Sequence, residues 1–137
     1  MPKPLEVSAK QLVDSARREI KEYSAQQAIE LARRPDVVLV DIRDPRELTR
    51  EGKVPGAMHA PRGMLEFWID PESPYFKPVF GEDKTFVFFC AGGLRSALTT
   101  KTLQDRGLAP GAPSVGGFAA GKQAGGAVEA PAPKAAG

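Results

Sequence analysis

The sequence predicts an α/β fold: a central, mostly parallel sheet flanked by helices in three layers. Three observations carry that prediction. Two apolar runs, Val37-Val38-Leu39-Val40 and Thr85-Phe86-Val87-Phe88-Phe89, show no alternation of polar and apolar residues. Such runs suit strands covered on both faces, as in parallel sheets. Each run is followed by a helix-forming stretch, and prolines or glycines separate the units.

The elements follow in order. Residues 1–7 are proline-rich and are expected to fray. Ser8 is placed to cap a helix over 9–18, with Leu12, Val13 and Ala16 at helical spacing. Residues 19–23 read as a short extended piece. Ser24 and Gln27 have capping-box spacing, and Pro35 stops the helix that runs from Ala25 to Arg34. The Val37–Val40 strand comes next. Pro45 opens a short helix to Arg50, since proline suits the first helical position. Gly52 and Pro55-Gly56 turn the chain into a short strand at 57–60. Residues 61–83 read as a long loop holding Phe67, Trp68, Tyr75, Phe76 and Phe80, a pattern that suits a site border or a cover over the core. The Thr85–Phe89 strand then leads through a glycine-bearing turn into a helix over 96–106, with Leu94, Leu98 and Leu103 facing inward and Gly107 closing it. A last strand around Val115 and a helix over 118–124 are expected. The organisation is a helical amino-terminal extension at 1–19, one domain at 20–129 and a disordered Ala/Pro tail at 130–137.

Composition excludes several functions. The chain has 137 residues, with a formal net charge of +2 and charges of both signs interspersed. A nucleic-acid binder would carry a concentrated basic face, so no nucleic-acid partner is expected. One Cys and one His leave no intramolecular disulfide and too few ligands for a Cys/His zinc site, so no metal is expected. No apolar run approaches the ~20 residues of a membrane span, and residues 1–6 lack a secretory apolar core. The expected setting is the cytoplasm, with no membrane partner.

Cys90 is the residue that carries chemistry. It stands at the carboxyl end of a buried strand, before Ala91-Gly92-Gly93-Leu94-Arg95-Ser96 and a helix. Open α/β sheets hold ligands at that end. A free thiol has a pKa of ~8.5. A helix dipole contributes only ~0.3–1 kcal/mol at an exposed site, and one pKa unit is ~1.4 kcal/mol. Hydrogen bonds to a charged acceptor are worth ~1.5–3 kcal/mol each, so loop N–H groups aimed at sulfur would dominate. Gly92 and Gly93 permit the turns that aim them. Arg95 adds a positive charge, either binding the donor's anion or pairing with Asp41 or another carboxylate to lock the loop. The bland alternative is an inert buried Cys, which the Gly-Gly loop and Arg95 make less favoured.

Val40-Asp41-Ile42-Arg43 with Glu47, then Gly52-Lys53-Val54-Pro55-Gly56-Ala57-Met58-His59, then Cys90-Ala91-Gly92-Gly93-Leu94-Arg95-Ser96, then Gly116-Gly117-Phe118-Ala119-Ala120, stand in an order that resembles the single-domain rhodaneses, the sulfurtransferase family. The resemblance covers roughly residues 20–129. It implies a rhodanese-like sheet of about five strands. It implies that Cys90 takes up a sulfane sulfur as a persulfide and passes it on, with the backbone N–H groups of Ala91 to Ser96 cradling it. Thiosulfate or a persulfide would be the donor; cyanide, a thiol or a protein would be the acceptor. A protein donor is equally compatible. No cofactor is implied. Two positions depart from the family pattern: Lys53 where His is common, and Gly121 where Trp is common. The uncharged loop residues Ala91 to Leu94 weaken the expectation of thiosulfate as donor.

Two alternatives stand beside this reading. One is a non-catalytic binding or persulfide-carrier module on the same scaffold. The other is a cysteine phosphatase or arsenate reductase. Phosphatase loops place five residues between Cys and Arg, and here four lie between Cys90 and Arg95. An Arg43–Glu47 ion pair is expected to brace the turn after the first strong strand, with Asp41 beside it. His59 reads as structural. Arg62, Phe67 and Trp68 are placed as a pocket rim. With one Cys, no second thiol of the chain resolves the persulfide, so transfer goes to an external acceptor in a two-step cycle.

Overall fold

The computed structural model describes residues 3–108 and 111–113. Four parallel strands form the sheet: β1 (Val37–Asp41), β2 (Met58–His59), β3 (Thr85–Phe89) and β4 (Gly111–Pro113), in the order β2-β1-β3-β4. Among the described residues, five helices flank it: α1 (Ala9–Glu19), α2 (Ala25–Leu31), α3 (Pro45–Glu51), α4 (Arg62–Trp68) and α5 (Leu94–Asp105). The parallel α/β architecture is therefore the expected one, with four strands among the described residues where about five were anticipated. The expected positions Val115, 118–124, Gly121 and 130–137 lie outside the described residues.

Local signals account for most boundaries. Ser8 and Ser24 each form a full capping box, with Gln11 and Gln27 respectively. α2 ends at Leu31, short of Arg34, and a turn carries the chain to β1. Asp44 caps α3 through the N–H of Arg46 at 2.8 Å, with Pro45 at the first position. Val13 and Ala16 are buried, and α1 packs on α5; Leu12, grouped with them by spacing, is half-exposed.

The stretch 61–83 is not one long loop. It contains α4 and a single 3-10 turn at Pro78–Gly81. Leu65, Trp68 and Ile69 have the three- and four-residue spacing of a helix face. Leu65 is fully buried in the core, and Trp68 and Ile69 pack against it. The same core holds Val40, Ile42, Ala60, Phe80, Phe86, Phe88, Cys90 and Leu103. β3 is buried from Phe86 onward, whereas β1 is half-buried until Val40. α5 begins at Leu94, two residues before the expected start. Leu94 therefore lies in the first turn and is 59% exposed, contrary to its assignment as an inward residue. Ser96, Ala97, Thr99, Thr100 and Leu103 form the buried face instead.

Candidate active site

β1 and β3 pair in parallel register, with Asp41 opposite Phe89. Their carboxyl ends thus lie side by side, and the chemistry-bearing segments Ile42–Glu47 and Cys90–Ser96 leave the sheet together. Ala60 to Arg62 follow β2 at the same end: the N–H of Ala60 donates to Asp41 O at 2.9 Å, and that of Ile42 to Phe89 O at 3.0 Å.

Cys90 is 1% exposed and free of any disulfide. Gly93 donates its N–H to Cys90 Sγ at 3.1 Å. Gly93 takes φ of +93° at the cap of α5, a left-handed conformation that L side chains rarely adopt. Gly92 has no positive φ, so only one of the two glycines is needed for the turn. The Cys90 thiol donates to Ser96 Oγ at 3.6 Å, and Ser96 Oγ donates to Gly93 O at 3.2 Å. When the thiol ionises, the Ser96 hydroxyl is positioned to turn from that carbonyl to the sulfur. Burial raises the thiol pKa. Hydrogen bonds from the Ser96 side chain and from the backbone of Ser96, Gly93 and Arg95 outweigh it, and the pKa lies below its ordinary value. Ala91, Gly92 and Leu94 are exposed above this buried sulfur.

Arg95 and Glu47 meet across the two segments: Nη1 lies 3.1 Å from Oε1, with the side chains 37% and 22% exposed. Of the two pairings open to it, with Asp41 or with another carboxylate, Arg95 thus takes the second. Burial lowers the Arg95 pKa, but Glu47 and, behind it, the Cys90 sulfur raise it overall. The expected Arg43–Glu47 pair is not formed. Arg43 is buried and forks onto Asp41 instead, with Nε 3.0 Å from Oδ1 and Nη2 2.8 Å from Oδ2. Nη2 also donates to Gly52 O at 2.9 Å. The reason is reach: Arg43 points back over the end of β1 into the core, while α3 carries Glu47 out toward α5. His59 Nε2 lies 2.8 Å from Arg43 O, which ties β2 to the same knot.

The expected rim divides. Arg62 starts α4 half-buried, its N–H on Ile42 O at 3.4 Å. Phe67 is half-exposed and meets Tyr75 edge-on at 6.4 Å. Trp68 is drawn into the core, with the Lys77 ammonium 4.8 Å from its ring centroid. The Arg95–Glu47 pairing is what sequence reasoning missed. The spacing of residues 47 and 95 carries no signal for it, because only the strand order brings them together.

Residues 24–124 match the Rhodanese-like domain family. The chain belongs to that family. No curated protein matches the sequence. A protein of unknown function from Rhodopseudomonas palustris, described as a possible tyrosine phosphatase, is 55% identical, with a TM-score of 0.91, over 94% of this chain and 99% of that one. A single-domain sulfurtransferase of Saccharomyces cerevisiae shares the fold at 23% identity and a TM-score of 0.61, over 77% and 91% of the two chains. A rhodanese-related protein from Thermoplasma volcanium does so at 23% identity and a TM-score of 0.63, over 80% and 97%. In this rhodanese-like domain, no helix among the described residues is long and apolar enough to cross a membrane.

Proposed function

We propose that this rhodanese-like protein is a sulfurtransferase that carries a sulfane sulfur on Cys90. One observation supports this best: a buried thiol whose pKa is lowered by loop hydrogen bonds, at the carboxyl end of a parallel strand, in a loop without charge from Ala91 to Leu94. The thiolate attacks the outer sulfur of a donor, the donor's S–S bond breaks, and its electron pair leaves with the remainder of the donor. Cys90 then carries a persulfide. An acceptor (cyanide, a thiol or a protein) attacks the outer sulfur and restores the Cys90 thiolate. Gly93 N–H and the Ser96 hydroxyl stabilise negative charge at Sγ in both steps. The partners fitting this cycle are a small or protein-borne sulfur donor and a thiophilic acceptor, and the proposed setting is the cytoplasm.

A second reading, phosphatase, is favoured by the description of the Rhodopseudomonas palustris relative. Two features argue for sulfur. Four residues separate Cys90 from Arg95, a short loop for wrapping a tetrahedral oxyanion. Arg95 is also engaged by Glu47. The experiment is intact-protein mass after treatment with thiosulfate or a persulfide, on the wild type and Cys90→Ser, followed by cyanide. One added sulfur, lost to cyanide as thiocyanate and absent in the Ser variant, is the expected result. No added sulfur from any donor, with hydrolysis of a phosphate ester, would replace this reading by the second.

A further inference from the structure

We infer that Glu47 sets donor specificity at the Cys90 site, and that the donor it selects is a hydropersulfide carrying at most one negative charge rather than the thiosulfate dianion. This inference rests on the sulfur-transfer reading and narrows it. The parallel sheet gathers at one end the segments that follow β1, β2 and β3. Their charges pair off almost completely. Arg43 lies 2.8 Å from Asp41, Arg46 lies 3.0 Å from Asp44, and Arg95 lies 3.1 Å from Glu47. Ala91 to Leu94 bring no charge. Arg62 is the arginine of these segments that forms no ion pair among the described residues. The cation closest in sequence to the sulfur, Arg95, is therefore neutralised before any donor arrives.

Glu47 goes further than neutralising Arg95. Its second oxygen, Oε2, is buried and has no hydrogen-bond partner among the described residues. A buried carboxylate oxygen without a donor stays an unsatisfied acceptor, and its negative potential is offset only in part by Arg95 on the other oxygen. That potential bears on whatever approaches Arg95. With a hydropersulfide R–S–SH, the Cys90 thiolate attacks the outer sulfur, a new S–S bond forms, and the donor's S–S bond breaks. R–S⁻ leaves with the electron pair, and the proton stays on the transferred sulfur. One negative charge enters the step and one leaves. With thiosulfate the thiolate meets a dianion, three negative charges gather at the transition state, and sulfite leaves with two of them. A site whose Arg95 is already paired and whose Glu47 Oε2 has no partner among the described residues suits the first step and opposes the second.

The test compares cysteine hydropersulfide and thiosulfate as donors for Cys90 persulfidation, read by intact mass and by kcat/KM. Each rate is divided by the same donor's rate with free cysteine, which removes intrinsic reactivity. The wild type is expected to favour the hydropersulfide on that scale. Glu47→Gln keeps an oxygen acceptor for Arg95 and removes the charge. It is expected to raise the thiosulfate-to-hydropersulfide ratio about tenfold, the scale of a charge pair a few Å apart near a surface. Added salt is expected to shrink that gain, because screening weakens a charge effect and leaves a purely structural one in place. An unchanged ratio in Glu47→Gln overturns the proposal. So does a wild type that prefers thiosulfate, a result that needs no variant to fold. If neither donor loads Cys90, the sulfur-transfer reading itself falls; loading without preference removes only this inference.

Discussion

β1 and β3 run side by side and end in register, yet the chain leaves them in opposite ways. After β1 it buries two full charges and satisfies them. Both oxygens of Asp41 accept from Arg43, whose backbone N–H adds a further bond at 3.0 Å and whose guanidinium also reaches Gly52 O. After β3 it buries one ionisable atom and surrounds it with donors that are used fully only when that atom is charged. The first arrangement is closed: every partner is present, and nothing is gained by change. The second is poised, because ionisation improves its hydrogen bonding. A rigid knot beside a poised thiol lets the same end of the sheet hold geometry in one segment and reactivity in the next.

Removing the guanidinium is the most forceful way to break that contrast. Arg43→Ala leaves Asp41 buried and unpaired, which is expected to cost about 3–5 kcal/mol. Domains of this kind have only ~5–15 kcal/mol in total, so the variant is expected to be near its unfolding threshold. Urea unfolding reads the loss. A change below ~1 kcal/mol would mean that Asp41 escapes to solvent and that the knot is not closed. The double variant Asp41→Asn, Arg43→Met is expected to recover much of the loss, because it buries no charge.

The two regions were also unequally legible in the sequence. The unalternating runs ending at Val40 and Phe89, and the Cys-Ala-Gly-Gly turn between strand and helix, are local patterns, and the local reading put the thiol at a strand's carboxyl end. α4 was hidden because Pro61, Gly63 and the aromatics read as loop chemistry, although Leu65, Trp68 and Ile69 carried the helical spacing. The ion pairs could not be assigned locally. Arg43 has carboxylates at positions 41, 44 and 47 within reach along the chain. Which one it takes depends on the core pulling its side chain inward. Glu47 then goes to Arg95, a choice set by strand order alone. Leu94 shows the same limit: an apolar residue at helical spacing was assigned inward, but its place in the first turn of α5 exposes it.

Ser96→Ala sharpens the other half of the contrast. It removes the hydroxyl beside Sγ and leaves the Gly93 N–H in place. The Cys90 pKa is expected to rise from its lowered value. The sign follows from the direction of the shift: a depressed thiol pKa stabilises the fold above the unfolded value of ~8.5, and this contribution is lost as pH falls through the folded value. In the variant the contribution is smaller and is gone at a higher pH. The pH profile of iodoacetamide alkylation is expected to move upward, with the rate at neutral pH about tenfold lower, the scale of one hydrogen bond to a charged acceptor. An unmoved profile would assign the thiolate to the backbone alone.

The smallest expected effect concerns Asp44, which begins the helix that carries Glu47. Hydrogen bonds from the Arg46 side chain and then its backbone hold the Asp44 carboxyl well below its usual range, at about 2. A depressed carboxyl contributes stability above the unfolded value of ~3.9 and loses it as pH falls toward the folded value. Two replacements separate the capping and the charge. Asn keeps an oxygen acceptor for the Arg46 N–H but carries no charge; Ala keeps neither. The wild type is therefore expected to melt slightly above Asp44→Asn at neutral pH, and the gap is expected to close between pH ~4 and about 2. Asp44→Ala is expected to lie below both at every pH, because the lost cap does not titrate. Equal melting of the wild type and Asn at neutral pH would show the exposed pair with Arg46 to be solvent-screened, as most surface pairs are. The contrast with Asp41 would then be at its sharpest: two aspartates three positions apart, each forked by an arginine two positions on, one decisive because it is buried and the other nearly silent because it is not.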